Sequence, residues 1–211
     1  FVAKYKAYIG TGQGGNAYLR DFWEYNSASD TWTQVADFAG SSRREAAAFG
    51  ISDFGYVGTG IDSAGTLKKD FWKYDPTLNT WSSVSDFGGT ARKQAVSFAM
   101  GGQGYLGTGD DGSFTNDFWQ YEPLTDTWEQ KASFAGTPRH GSTGFGIFPN
   151  AYLGTGYDNT LNYTNDFWEY NYFNDTWVQV ADFIGTPRAN ATSFALGNRG
   201  FLGTGYDGQT L

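Results

Sequence analysis

The sequence predicts an all-β protein built from repeats, on three observations. The stretch Asp21 to Trp32, DFWEYNSASDTW, returns as DFWKYDPTLNTW (Asp70 to Trp81), DFWQYEPLTDTW (Asp117 to Trp128) and DFWEYNYFNDTW (Asp166 to Trp177), at intervals of 49, 47 and 49 residues. All eight tryptophans of the 211-residue chain fall in these four copies. Glycine is abundant, aromatic residues make up 19% and charged residues 17%, which suits short strands joined by tight turns. A fixed period of this length outranks local propensity and makes the repeat the unit of folding.

Each repeat reads as four strands. An arginine opens it (Arg43, Arg92, Arg139, Arg188), followed by small residues, as in AAAFGI after Glu45 and ATSFAL after Asn190. Such a strand fits a crowded position near a central axis, where side chains from every repeat converge. The second strand carries an aromatic residue (Tyr8, Tyr56, Tyr105, Tyr152, Phe201) and stops at a Gly-Thr-Gly ending in Gly12, Gly60, Gly109, Gly156 and Gly205. A polar loop of eight, nine, seven or nine residues then precedes the Asp that opens the third strand. There, period-two alternation puts Phe22 and Glu24 on one face and Trp23 and Tyr25 on the other. After a turn marked by Asp75-Pro76 or Glu122-Pro123 in two copies, the second tryptophan opens the fourth strand: TWTQVADF, TWSSVSDF, TWEQKASF and TWVQVADF. Tyr and Trp are seven residues apart in every copy, so hairpin length and register are fixed.

Four strands running from small to aromatic describe a propeller blade. The Gly cluster ending the second strand, the Tyr and Trp flanking the hairpin turn, and the Arg opening each repeat make nearly the whole chain resemble a kelch-repeat β-propeller. The narrower likeness is to bacterial kelch repeats of the galactose-oxidase central-domain kind, with GTG standing where adjacent glycines are common. The resemblance implies one domain over 1–211, with repeats at roughly 1–42, 43–91, 92–138 and 139–187 and a partial one at 188–211. That is about four to five four-stranded antiparallel blades, part of a six- or seven-bladed ring. Aligning Gly12 with Gly205 sets Phe1 opposite Phe194, so the chain is expected to start inside an innermost strand. Self-association that completes an open arc is the alternative expectation, since an arc leaves strand edges exposed.

Charge and composition narrow the partners. A formal net charge of −8 argues against nucleic acid and anionic membrane surfaces, which need clustered Lys and Arg. No apolar run approaches a membrane span. Without cysteine there is no disulfide framework and no thiolate metal site, and no cofactor or metal is expected. The acidic, Lys-poor, Asn/Thr/Gly/aromatic-rich composition points to a secreted or cell-surface bacterial protein.

Within the repeat, Trp to Arg spans 11 residues and Arg to the last Gly of GTG spans 17, in all four copies. Length varies only in the loop between that Gly and the DFW aspartate, which marks scaffold and working surface respectively. Topology places the arginines on the same face as these loops. Arg43, Arg92, Arg139 and Arg188 are therefore candidate ligand contacts at a channel mouth, able to hold carboxylates bidentately; the competing reading makes them ties between neighbouring blades. Two residues past the GTG stand Asp62, Asp111, Asp158 and Asp207, either a carboxylate ring or turn-forming side chains. Asp21, Asp70, Asp117 and Asp166 are expected to hold loop amides. The repeated Trp and Tyr read as packing residues, whereas the loop aromatics Phe114, Tyr157, Tyr163 and Tyr206 read as ligand contacts. His140, the sole histidine, joins the mouth next to Arg139. One His and no Cys fit neither a metal site nor a catalytic triad. The expectation is a non-enzymatic scaffold that binds a protein or other extracellular macromolecule through a loop-built face. A structural part in a surface assembly or adhesin, and a carbohydrate-active propeller using Arg and carboxylates, are the alternatives.

Overall fold

The computed structural model describes residues 1–209. Among them every regular element is a β-strand. Four successive antiparallel sheets each run in chain order from first to fourth strand. The first holds Val2–Ala3, Lys6–Gly10, Phe22–Asn26 and Thr31–Val35; the second Ala47–Ile51, Phe54–Gly58, Phe71–Asp75 and Thr80–Val84. The third holds Val96–Met100, Gln103–Gly107, Phe118–Glu122 and Thr127–Lys131, and the fourth Thr143–Ile147, Asn150–Asp158, Tyr163–Asn171 and Thr176–Val180. A two-stranded sheet, Thr192–Leu196 with Arg199–Gly203, follows.

The seven-residue Tyr-to-Trp spacing becomes a registered pair in each hairpin: Tyr25 with Trp32, Tyr74 with Trp81, Tyr121 with Trp128 and Tyr170 with Trp177. The fourth strand is shorter than the TWxxVxxF pattern suggests, ending at Val35 in the first copy. Its Phe38 then turns inward and is fully buried. The reason lies in the neighbouring sheet, whose Trp81 sits between Phe22 and Phe38 with ring centroids 5.0 and 5.1 Å apart, edge to face. Trp128 sits in the same way against Phe71 and Phe87, at 5.2 and 5.1 Å, and Trp177 against Phe118 and Phe134, at 5.0 and 5.3 Å. The hydrophobic cores therefore lie between sheets, one between each consecutive pair of the four. Each such edge-to-face contact adds about 0.5–1.5 kcal/mol to the area it buries.

The first strands converge. One cleft of about 430 Å³ is lined by residues from all five, among them Val2, Gly50, Ser97, Gly144 and Ser193. Small side chains are needed here because the strands bond directly across the gap: Ser97 Oγ accepts from the Ala48 amide at 3.0 Å, and Thr143 and Ser193 share a hydrogen bond of 2.6 Å.

Candidate functional site

The Gly-Thr-Gly segment ends the second strand in the second and third sheets and interrupts its register in the fourth, and it places its threonine in the left-handed region, with φ of 57° at Thr59, 55° at Thr108 and 56° at Thr155. A β-branched residue resists that conformation. It is held by the arginine that opens the repeat, whose Nη1 donates to the threonine carbonyl at 3.0 Å for Arg43, 2.9 Å for Arg92 and 3.1 Å for Arg139. The same guanidiniums pair with Asp70, Asp117 and Asp166 at the start of the third strand.

Those contacts decide where the arginines stand. Arg43 is 0% exposed and Arg92 and Arg139 are 1% exposed, each with its guanidinium 4.8–5.0 Å from the ring of a buried Phe. Their backbones do share the face of the variable loops, since the Arg43 carbonyl accepts from Gly12 and its amide donates to Leu19 of the preceding repeat. The side chains turn away from that face, so the ring of guanidiniums at a channel mouth is replaced by a set of internal ties. Arg188, in the last repeat, bonds Thr186 and the Thr204 carbonyl. Asp70, Asp117 and Asp166 likewise serve Arg and Trp Nε1 groups rather than loop amides, because the buried cation is their strongest available partner.

The second set of aspartates forms turns. Asp62 accepts from the amides of Ala64 and Thr66 and pairs with Lys68; Asp158 accepts from Thr160, Asn162 and the Thr137 hydroxyl. Asp111 accepts from Ser113 and Thr90, and Asp207 from Gln209. In Asp158, burial pushes the carboxyl up, and the Thr160, Asn162 and Thr137 hydrogen bonds outweigh it, leaving it below its ordinary value. These carboxylates stand in separate turns, one to each repeat.

What the structure does gather is a lip along the loop face. A belt of backbone hydrogen bonds fixes it: Gln94 donates to Glu45, Gly141 to Gln94 and Asn190 to Gly141, at 3.1, 3.0 and 2.7 Å. The residue before each belt position pairs with the residue after a GTG, giving Arg44 with Ile61, Lys93 with Asp110, His140 with Tyr157 and Ala189 with Tyr206. One half of the lip is charged and internally neutralised, with Lys93 3.7 Å from Glu45 and 3.6 Å from Asp110, and Arg44 3.5 Å from Glu45.

The other half is aromatic. Phe114 meets His140 at 4.6 Å, His140 meets Tyr157 at 5.7 Å, Tyr157 meets Tyr163 at 4.9 Å, and Tyr163 meets Tyr206 at 5.8 Å, all half-buried. Burial pushes the His140 imidazole down; Asp110 and Glu45 pull it up and Lys93 acts with the burial, and the net direction is down. A neutral imidazole therefore faces Phe114, with its Nδ1 buried and unpaired. The fourth sheet raises this arc: its second and third strands run nine residues instead of five, continuing past a register shift at Gly154 and Gly156 to the pair Tyr157 with Tyr163. Beside that hairpin lies an open cleft of about 410 Å³ whose walls include Arg139, Asp158, Tyr163, Asp166 and Trp168. Arg139, Asp158 and Tyr163 are thus the predicted site residues that one cleft brings together.

Sequence reasoning missed a further set. Asn79, Asp126 and Asp175, just before the Thr-Trp of each hairpin, have φ of 51°, 53° and 51° and accept from the backbone of the preceding sheet: Ala36 N, Ser85 N and Ala132 N at 2.8, 2.8 and 2.9 Å. The following Trp returns a bond to the same residue's carbonyl, Trp81 to Ala36 at 3.0 Å and Trp177 to Ala132 at 2.9 Å. The signal was the invariable Asp or Asn two positions before the second tryptophan.

No family model and no curated protein matches this chain. Among solved structures it is similar to one titled "Structure of YjhT", with a TM-score of 0.73 and 17% identity over 93% of this chain and 72% of that one. At that identity the likeness extends to the all-β fold of repeated antiparallel sheets and no further.

Proposed function

We propose that the five sheets are blades of a kelch-type β-propeller arc, and that the chain is a non-enzymatic scaffold binding a protein or other extracellular macromolecule through its loop face. The convergence of five first strands on one cleft supports the propeller reading. The observation that carries the functional reading is the aromatic arc from Phe114 to Tyr206. Its residues are not present in every repeat, Tyr157 and Tyr206 sharing one repeat position, Phe114 and Tyr163 another, and His140 standing alone; it lies on the face where loop length varies and leaves its rings partly exposed, whereas Trp81, Trp128 and Trp177 pack between sheets. Rigid aromatic side chains give a large contact area at small entropic cost. Secretion or display at a bacterial surface fits the acidic, Lys-poor, Asn/Thr/Gly/aromatic-rich composition and belongs to the same proposal.

The test is a solid-phase screen of extracellular-matrix proteins and glycans with the wild type and a Tyr157→Ala/Tyr163→Ala variant. The reading expects at least one macromolecule to be retained by the wild type and lost by the variant, with the unfolding midpoint unchanged. Retention that survives in the variant would place recognition elsewhere.

A further inference from the structure

We propose that the cleft between Tyr163 and Trp168 receives a lysine or arginine side chain of the partner protein. The loop-face reading is the premise, and the ligand it acquires here is a segment with exposed basic residues.

One loop position differs in charge balance from copy to copy. Asp62, Asp111 and Asp158 each stand two residues past the last Gly of GTG. Lys68, in the same loop, neutralises Asp62 with its Nζ 2.6 Å from Oδ2. The place of Lys68, two residues before the third-strand Asp, is taken by Thr115 in the third repeat and by Thr164 in the fourth. Asp111 and Asp158 therefore accept from neutral groups, including the Thr90 hydroxyl at 2.6 Å and the Thr137 hydroxyl at 3.0 Å. Among the described residues neither forms an ion pair, and the cations nearby are already matched, Arg92 with Asp117, Arg139 with Asp166, and Lys93 with Glu45 and Asp110. Asp158 is buried, and its hydrogen bonds outweigh that burial, so the carboxylate is charged at neutral pH. An uncompensated charge in a wall shielded from water draws a cation to the cleft.

The rings follow the same pattern. Three residues before the third-strand Asp stand Tyr18, Leu67, Phe114 and Tyr163 in successive repeats. Arg44 lies over the Tyr18 ring, its guanidinium carbon 5.2 Å from the centroid, so the scaffold itself seats a cation on an aromatic ring at this position. In the place of Arg44, His140 packs against Phe114, and Ala189 stands in the repeat that follows Tyr163. The fourth repeat thus combines a ring with a charged carboxylate and supplies neither the lysine of the second loop nor the arginine that covers the first.

The cleft brings these groups together. Its walls, around about 410 Å³, include Asp158, Tyr163, Thr164, Asn165, Trp168 and Gln179. Asp166 accepts the Trp168 indole N–H at 2.8 Å, which leaves the ring as the part of Trp168 offered to a ligand. A long basic side chain lays its apolar stem along aromatic surface and brings its charged head to a carboxylate. An acidic side chain would meet Asp158 with like charge, and a neutral one would leave that charge uncompensated. Because the repeated arginines are internal, the ligand is opposite in sign to the one a guanidinium ring would draw.

The experiment adds Nα-acetylarginine methylamide, its lysine counterpart and the uncharged citrulline isostere to the 211-residue protein, and follows the Trp168 indole N–H by NMR, assigned through Trp168→Phe. Saturable shifts are expected with the two basic compounds and none with the citrulline compound. Asp158→Asn and Tyr163→Ala should each weaken binding about fivefold or more, since one removes the charge and the other the ring. Asp53→Asn, at an exposed turn at the other end of the strands, removes the same net charge and should change binding less than about twofold. Tyr163→Ala reads the site independently of the Asp158 turn should Asp158→Asn fail to fold. Equal shifts with the citrulline compound, no saturable shift with either basic compound, or an Asp53→Asn loss equal to that of Asp158→Asn overturns the proposal. A macromolecule retained through Tyr157 and Tyr163 in the solid-phase screen would then leave the loop-face reading standing and remove its basic ligand alone.

Discussion

The Arg43 guanidinium lies side by side with the Asp70 carboxylate, Nη1 to Oδ1 at 2.7 Å and Nη2 to Oδ2 at 2.8 Å. From this one pair the repeat is tied at three places. The Arg43 backbone bonds Gly12 and Leu19 of the preceding repeat, its side chain holds the strained Thr59 carbonyl, and Asp70 takes the Trp72 indole N–H at 2.8 Å. The arrangement recurs with Arg92 and Asp117 and with Arg139 and Asp166, which explains why the arginine is present in every copy.

Acid should dismantle these ties. Burial pushes the Asp117 and Asp166 carboxyls up, but the hydrogen bonds and charge of Arg92 and Arg139, helped by the Trp indoles, outweigh it, so both lie below their ordinary values, as does Asp70. A carboxyl depressed in the folded state contributes stability that is fully present above its unfolded value, about 3.9, and is lost as pH falls through the folded value. Urea unfolding is expected to give a constant free energy from pH 7 to pH 5 and a decline below about pH 4. Asp117→Asn should lower the plateau and shallow the decline.

The inter-sheet clasp predicts a contrast between equivalent residues. Asp126 accepts from the Ser85 amide and the Tyr121 hydroxyl, so Asp126→Ala leaves two part-buried donors without their acceptor and should cost about 2 kcal/mol in urea unfolding. Asp30 occupies the same position in the first sheet, where its bond is to Tyr25 at an exposed site. Asp30→Ala should cost no more than about 0.5 kcal/mol.

Glycine gives a second contrast of that kind. A Cβ at Gly58 would lie 2.1 Å from the Phe71 ring, so Gly58→Ala forces the ring out of its seat and should destabilise by about 1–3 kcal/mol. Gly203→Ala, at the corresponding position with open space, should leave the midpoint of thermal unfolding in place.

The architecture was legible because backbone geometry repeats with the sequence. DFWxY and the seven-residue step from Tyr to Trp set strand, turn and register locally, and the structure pairs Tyr74 with Trp81 as the spacing requires. The destination of the Arg43 side chain was not legible. Chain order puts its backbone on the loop face, but only the three-dimensional path shows the guanidinium turning to Asp70, 27 positions along the chain. The aromatic arc was read one residue at a time. That Phe114, His140, Tyr157, Tyr163 and Tyr206 touch in sequence depends on how successive repeats are stacked, which no single repeat encodes. The role of Asn79 and Asp126 was missed for the same reason: their partners belong to the preceding sheet.

The most direct measurement is urea unfolding of Arg92→Gln at neutral pH. If the repeated arginines are internal ties and recognition belongs to the aromatic lip of the loop face, removing one cation leaves Asp117 and the Thr108 carbonyl without their partner, and the midpoint should fall by the equivalent of about 3 kcal/mol. A midpoint equal to that of the wild type would contradict the account and return the guanidinium to the surface as a ligand contact.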